Sequence, residues 1–329
     1  MEYTPGRRQF LGMMLGGAAG FSVSPRWDGL EPTRSGFTAF GQTPPSPHIP
    51  IAATPLTDNL IHFTGAGGNV VVVAAPDGLV MVNGGVRERS ADLLKAIAER
   101  TGGKRVQSLF NTDWHREHTG SNETLGKAGT TIIAHENTRQ YLGAEIYVDW
   151  QKRSYQPLPP QALPTRTFYT SDKMTAGAER VEYGHLGQAH TDAAIYVFFP
   201  ASNILVAGDA LSVGRYPIAD YTTGGWLGGL IAANKTLLAM ANAETRIVPG
   251  TGPIQTRADL QAQHDMLAAM LERFIKMMKQ GLGPEEIIAA APTKELTNPL
   301  EARWGNPDLF VSTAYRSMWL HVRELGGIV

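Results

Sequence analysis

The stretch Asn111–Gly120 constrains this chain more than any other, because it concentrates side chains that bind metal ions. Four such residues fall within six positions: Asp113, His115, Glu117 and His118. An apolar, β-rich run ends just before the stretch at Phe110, and a helix is predicted to begin near Ser121. Loops at the end of a buried strand hold ligands rigidly and still reach solvent. The stretch therefore predicts a metal site, with an ordinary polar surface loop as the alternative.

Three later features place further polar residues where apolar runs begin or end. His190 precedes the strand-like run 193–199, Asp209 follows the apolar run 204–207, and Thr251 follows the run 246–248. The spacing of the first four residues does not match one face of a helix, so in a loop it can divide them between two neighbouring ions. Together, these side chains are predicted to converge at one edge of a sheet.

These separated blocks resemble the metallo-β-lactamase superfamily of metal-dependent hydrolases. That family carries H-x-H-x-D-H, then a distant His, an Asp and a final His that often lies in Pro-Gly-His-Gly. In this chain the first block reads Asp113–His118, and His190, Asp209 and Thr251 take the later positions. The resemblance covers about residues 55–260. Three positions depart from the pattern: Asp113 replaces a His, Glu117 an Asp and Thr251 a His.

The resemblance implies an α+β fold, a four-layer αββα sandwich, here with a helical C-terminal extension. It also implies a metal centre of one or two ions. One site would use Asp113, His115 and His190, and a second would use Glu117, His118 and bridging Asp209. Zinc is the usual ion for sites that contain histidine. The carboxylate of Asp113 is a hard oxygen ligand, so it moves the preference of the first site toward Mn²⁺ or Fe²⁺.

The resemblance further implies a hydrolase that cleaves an ester, thioester, amide or lactam carbonyl with metal-activated water. Glu117 or Asp209 would orient or deprotonate the water. Trp114, Arg215 and Tyr216 would bind the substrate. The alternative is a relative without catalytic activity that kept the fold and now binds a ligand. Thr251, a poor ligand for zinc, is interpreted as a small turn residue between two glycines.

Composition limits the partners of the chain. Of its 329 residues, 43% are hydrophobic and 18% are charged, which is enough apolar material for a large core. The formal net charge of −1 provides no field that would attract nucleic acid or an anionic membrane, so a small-molecule substrate is expected. With no cysteines, the chain has neither disulfides nor thiolate ligands. Its oligomeric state stays open.

The N-terminal region is predicted to direct export. Arg7 and Arg8 precede the apolar, glycine-rich run Leu11–Val23, a pattern typical of a secretory signal. The paired arginines resemble a twin-arginine signal, which implies a periplasmic or secreted bacterial protein and no stable membrane insertion once the signal is removed. We therefore divide the chain into a signal and linker (1–42), a metallo-β-lactamase-like domain (43–256) and a helical extension (257–329) packed on the same domain.

Local patterns predict the remaining elements. A helix is expected over Ser90–Arg100 with Ser90 as its N-cap, and the stretch 143–170, rich in proline and aromatics, is expected to be an irregular lid or surface loop. Thr256 and Asp259 form a capping box for a helix over Arg257–Gln280. The predicted apolar face of that helix consists of Leu260, Leu267, Leu271, Phe274, Ile275 and Met278.

Overall fold

The computed structural model describes residues 49–294 and 307–324, so the predicted export signal lies outside the described residues. Within these ranges the strands are β1 (Ala52–Pro55), β2 (Leu60–Thr64), β3 (Val70–Ala75), β4 (Gly78–Val82), β5 (Val106–Phe110), β6 (Thr131–His135), β7 (Ile146–Val148), β8 (Arg153–Tyr155), β9 (Arg166–Phe168), β10 (Ser171–Ala176), β11 (Glu179–His185), β12 (Ile195–Phe199), β13 (Ile204–Gly208) and β14 (Arg246–Pro249). The helices are α1 (Ser90–Thr101), α2 (Arg116–Thr119), α3 (Asn122–Lys127), α4 (Glu136–Leu142), α5 (Leu227–Met240), α6 (Arg257–Lys279), α7 (Pro284–Ala290) and α8 (Asp308–Glu324). None of these helices is both long and apolar enough to cross a bilayer.

Two large sheets form the centre of the protein. The first has seven strands in the order β1-β2-β3-β4-β5-β6-β9 and the second has five in the order β10-β11-β12-β13-β14. The first sheet is antiparallel from β1 to β4 and parallel from β4 to β9. The second is antiparallel except for the parallel pair β13 and β14. A separate hairpin joins β7 to β8.

The strand sequences explain the layers. In β3, Val71 and Val73 face the second sheet, whereas Val70 and Val72 pack against the helices outside the first sheet. Side chains alternate along a strand, so a strand that is covered on both faces is apolar throughout. Leu93 and Ile97 of α1 complete the outer layer on this side.

The second sheet is covered in the same way. From β13, Ile204 and Val206 point into the space between the sheets, and Leu205 and Ala207 point outward. The outward residues pack against side chains of four helices, α5 to α8: Leu230, Leu260, Leu267, Phe274, Ile287 and Phe310. The predicted α+β sandwich with C-terminal helices is confirmed.

Three local predictions need correction. Ser90 is the first residue of α1 rather than its N-cap, and its hydroxyl donates to Ser121 Oγ at 2.9 Å. The stretch 143–170 is not irregular throughout, because it contains the hairpin β7–β8 and strand β9. Strand β10 was missed, since its sequence is polar and it lies exposed at the edge of the second sheet. Short or polar edge strands lack the apolar alternation that makes a strand recognisable.

The two sheets bring several strand ends to one edge. The backbone N–H of Ile195, at the start of β12, donates to Thr112 O after β5 at 2.8 Å. Gly250 N, after β14, donates to Gly208 O at the end of β13, also at 2.8 Å. The first bond ties a loop of the first sheet to the second sheet, and the second bond joins two loops of the second sheet. The polar residues singled out from the sequence lie in those loops.

We predict that the C-terminal helices are part of the folding unit. Helix α6 begins with the predicted capping box, in which Asp259 N donates to Thr256 Oγ1 at 3.3 Å and Thr256 N to Asp259 Oδ2 at 2.9 Å. Phe274 is fully buried, whereas Ile275, placed by the sequence on the same face, is 38% exposed. Phe274→Ala should lower the free energy of unfolding by about 3–5 kcal/mol, because it leaves a cavity in the core. Ile275→Ala should cost about 0.5 kcal/mol. Chemical denaturation measures both, and equal losses would contradict the packing described.

Candidate metal centre

The loop after β5 is held in a fixed shape by local hydrogen bonds. Asn83 Oδ1, at the end of β4, accepts from Thr112 N at 2.9 Å and from Thr112 Oγ1 at 3.0 Å. Asp113 Oδ1 accepts from His115 N at 2.8 Å, and Asn111 Nδ2 donates to His118 O at 3.1 Å. The loop then enters the short helix α2. These bonds turn the side chains of the loop inward, toward the edge where the two sheets meet.

The first group of donor atoms combines three loops. It consists of His115, His190 and Asp209, all buried, whose ligand atoms lie within 4.8 Å of one another. His115 Nδ1 lies 3.1 Å from His190 Nε2. Asp209 Oδ2 lies 3.9 Å from the former nitrogen and 3.6 Å from the latter. Two imidazoles and a carboxylate at this spacing form a donor set suited to a divalent cation.

Outer contacts fix which ring nitrogens can bind an ion. His190 Nδ1 lies 2.5 Å from Ile218 O, and a carbonyl can only accept, so this nitrogen carries the hydrogen. His115 Nε2 lies 3.4 Å from the Asp220 carboxylate. The opposite nitrogens, His115 Nδ1 and His190 Nε2, therefore turn their lone pairs toward each other. Two lone pairs at this distance need a proton or a metal ion between them.

The second group of donor atoms lies beside the first. It consists of Asp113, His118 and Asp209. His118 Nε2 is 3.4 Å from Asp209 Oδ2 and 3.6 Å from Asp113 Oδ2. The His118 ring has no exposed surface, and neither of its nitrogens has a hydrogen-bond partner among the described residues. A buried polar group without a partner is costly, and an ion between His118 and the two carboxylates would remove that cost for Nε2. Both groups thus fit metal ions.

The metal-free electrostatics point the same way. Burial alone would raise the pKa of Asp209, but the imidazoles of His118, His115 and His190 outweigh it and hold that pKa well below its usual range. Burial opposes protonation of His118, yet Asp113 and Asp209 together raise its pKa to about 9. A proton on His118 thus balances the buried carboxylates of the metal-free protein at neutral pH, and a metal ion that binds there must displace it.

Comparison with known proteins identifies the family. The model of the metallo-β-lactamase superfamily matches residues 63–252, more than half of the chain. The chain belongs to the metallo-β-lactamase superfamily. Membership supports a metal-dependent, hydrolase-like function, and the superfamily consists mostly of metal-dependent hydrolases.

Solved structures share the superfamily fold. A metallo-β-lactamase from Pontibacter korlensis matches with a TM-score of 0.53 at 20% identity, covering 66% of this chain and 99% of its own. DIM-1 metallo-β-lactamase matches with a TM-score of 0.53 at 18% identity, covering 67% of this chain and 97% of its own. VMB-1 matches with a TM-score of 0.53 at 16% identity, covering 68% of this chain and 99% of its own. At such identities the likeness establishes the fold alone.

The structure divides the superfamily's ligand positions differently from the sequence prediction. Asp113 groups with His118 instead of with His115 and His190. Asp209 belongs to both groups, whereas Glu117, half-buried, belongs to neither among the described residues. Thr251 lies on the Pro249–Gly252 loop, directly after Gly250. A side chain at position 250 would displace the Asp209 carboxylate, because a Cβ there would lie 2.0 Å from Asp209 Oδ1.

The predicted substrate-binding residues have other surroundings. Trp114 is 1% exposed, packs edge-on against Tyr155 and donates from Nε1 to Thr223 Oγ1 at 3.1 Å. Tyr216 is 5% exposed and stacks on Phe310 of α8. Buried aromatic packing leaves these two rings little surface for a ligand, which corrects the prediction that they bind the substrate. Arg215 is exposed.

One carboxylate near the site, Asp220, was missed by the sequence reasoning. Asp220 has no exposed surface, and its Oδ1 accepts from Trp150 Nε1 at 2.9 Å. Asp220 also accepts from Thr223 Oγ1 at 2.8 Å and from Thr222 N at 3.1 Å. The last contact is an Asx turn, a local signal that the sequence offers in Asp220-Tyr221-Thr222. The contact of Trp150 with Asp220 has no such signal, since the two lie far apart in the chain.

We predict that the shared carboxylate controls both ions. Asp209→Asn should weaken both sites beyond the roughly 10- to 100-fold cost of losing an outer-shell partner, because it removes a direct ligand from each. Asp113→Asn should weaken only the site that contains His118. Asp265→Asn, on the exposed face of α6, is the matched control. Elemental analysis and competition with a chromophoric chelator measure stoichiometry and affinity. Loss of both ions in Asp113→Asn would contradict the grouping.

Proposed function

We propose that this protein is a metal-dependent hydrolase that cleaves an ester, thioester, amide or lactam carbonyl. The observation that carries the proposal is the pair of buried donor groups, His115–His190–Asp209 and Asp113–His118–Asp209, which share one carboxylate. Each group offers three protein ligands. In catalytic metal sites, three protein ligands leave a coordination position for water or substrate.

The two groups differ in the ions they favour. Two imidazoles with one carboxylate suit zinc, whereas Asp113 and Asp209 give the second group two hard oxygen donors for a single imidazole. Zinc is therefore proposed for the first group, and Zn²⁺, Mn²⁺ or Fe²⁺ for the second. A divalent ion held here would supply Lewis-acid polarisation of a carbonyl and a water activated near neutral pH.

The residues of the chain have separate roles in the proposed reaction. Asp209 would bind both ions, and the imidazoles of His118, His115 and His190 keep its carboxylate charged despite its burial. Ile218 O and Asp220 orient the two imidazoles of the first group. Glu117 lies close enough for its charge to raise the pKa of both His115 and His118, yet it belongs to neither donor group. We assign to Glu117 the role of proton acceptor for the attacking water.

The proposed activity is tested with chromogenic esters, thioesters, lactones and β-lactams, assayed with added Zn²⁺, Mn²⁺ and Fe²⁺. The protein should hydrolyse at least one of these substrates. A chelator should abolish the hydrolysis, and added metal should restore it. Glu117→Gln should lower kcat by roughly 10²–10⁴-fold with metal stoichiometry unchanged, because it removes the base and no ligand. Glu99→Gln, exposed on α1, is the control.

The competing function has a distinct signature. A folded, metal-loaded protein that turns over nothing in the panel would favour the ligand-binding relative without catalytic activity. If Glu117→Gln instead loses an ion, Glu117 is a ligand and its role as proton acceptor is wrong.

We also propose that the protein is exported by its N-terminal region to the periplasm or beyond. The support is the Arg7-Arg8 pair ahead of the run Leu11–Val23. Twin-arginine export carries folded proteins, so the metal could be loaded before translocation. Arg7→Lys with Arg8→Lys should retain the precursor in the cytoplasm, while Arg26→Lys, beyond the apolar run, should not. Cell fractionation measures both, and unchanged export of the double variant rejects the twin-arginine route.

A further inference from the structure

One segment, residues 216–227, orients both imidazoles of the first donor group. Ile218 O accepts from His190 Nδ1, and Asp220 Oδ2 contacts His115 Nε2. The segment is also bound to the His190 loop by its backbone, because Asp220 N donates to His190 O at 2.8 Å. The relative alignment of the two lone pairs thus depends on where this segment lies.

Helix α8 holds the same segment on both sides of these two residues. Before them, the Tyr216 ring stacks on Phe310 with centroids 5.0 Å apart and planes at 15°. After them, Trp226 stacks on His321 at 3.7 Å and 10°. Leu227 N donates to Ser317 Oγ at 3.3 Å. Contacts at both ends leave the stretch with Ile218 and Asp220 little freedom to move.

A charged contact fixes the middle of the segment. Arg316 of α8 pairs with Asp149, and its guanidinium lies 5.7 Å from the centroid of the Tyr221 ring. The Tyr221 hydroxyl donates to Asp149 Oδ2 at 2.8 Å. The next residue, Trp150, donates to Asp220. Arg316 is thus linked to Asp220 through both neighbours of that carboxylate, Tyr221 along the chain and Trp150 across space.

We propose that α8 is a positioning element of the metal centre, with Arg316 and His321 as positioning residues that act through the 216–227 segment. Helix α8 lies beyond residues 63–252, the part matched by the superfamily model. The proposal rests on the proposed metal site. Hydrogen bonds weaken steeply with misalignment, so a small shift of the segment turns the imidazoles away from a common ion.

The test uses Arg316→Gln combined with His321→Ala in the full-length protein. The Arg316 side chain is 48% exposed and His321 is half-buried, so the fold should survive. Ser312→Ala on α8 is the control, since the Ser312 hydroxyl donates to Leu309 O of its own helix at 3.0 Å. Asp220→Asn is the reference that alters the direct contact. Zn²⁺ affinity is measured by chelator competition, and Tm is measured on the metal-free protein.

The expected result is a roughly tenfold weaker first site in the double variant and a loss of about 10- to 100-fold in Asp220→Asn. Ser312→Ala should match the natural protein. A lower metal-free Tm with Zn²⁺ affinity unchanged would show that α8 only stabilises the fold, and would overturn the proposal.

A second readout separates this proposal from the proposed function. In ¹⁵N-histidine spectra of the metal-free protein, the N–H protons of His190 Nδ1 and His115 Nε2 should exchange slowly with water. The double variant should accelerate that exchange, and Ser312→Ala should not. If the natural protein binds no metal, the proposed function fails while this measurement still decides the role of α8. Unchanged exchange in the double variant would reject that role.

Discussion

The buried carboxylate of Asp209 is the interaction on which the site depends. A single oxygen of this residue lies between 3.4 and 3.9 Å from nitrogens of three histidines. Burying a carboxylate costs several kcal/mol unless positive charge faces it. Loops from both sheets converge on Asp209 and place three imidazoles around it. Protons on these rings, or metal ions bound by them, supply the positive charge that the buried carboxylate needs. Because the imidazoles surround the carboxylate closely, Gly250 packs directly against Asp209, and backbone hydrogen bonds hold the loops in place.

The fold was largely predictable because its strands carry their own signal. Apolar runs such as Val70–Ala75 indicate strands covered on both faces, and the resemblance to the superfamily implied two sheets between helical layers. This apolar signal is absent from strands that are exposed or very short, because few of their side chains are packed in the core. Strand β10 is polar because it is an exposed edge, and β9 is only three residues long, so neither shows a period.

The sequence indicated the residues that form the two donor groups, but it did not indicate how these residues divide between the groups. The spacing of the donors in the sequence brought Asp113, His115, His118, His190 and Asp209 to notice. It could not show that one Asp113 oxygen is occupied by the backbone N–H of His115, which leaves the other oxygen to face His118. Asp220 and its hydrogen bond from Trp150 escaped notice for a related reason. Their importance arises from contacts between residues distant in sequence, and a buried loop carboxylate cannot be distinguished from an exposed one by its neighbours in the chain.

The burial of the second donor group has a kinetic consequence. His118 has no exposed surface and Asp113 is 1% exposed, whereas His115 is 7% exposed. An ion held by His118 and Asp113 would leave more readily when the loop after β5 opens, and the hydrogen bonds of Asn83 and Asn111 resist that opening. Local openings of this kind are governed by the stability of the region that opens. The residence time of that ion is thus set by loop motion as well as by ligand strength, so the two positions should exchange their ions on different timescales.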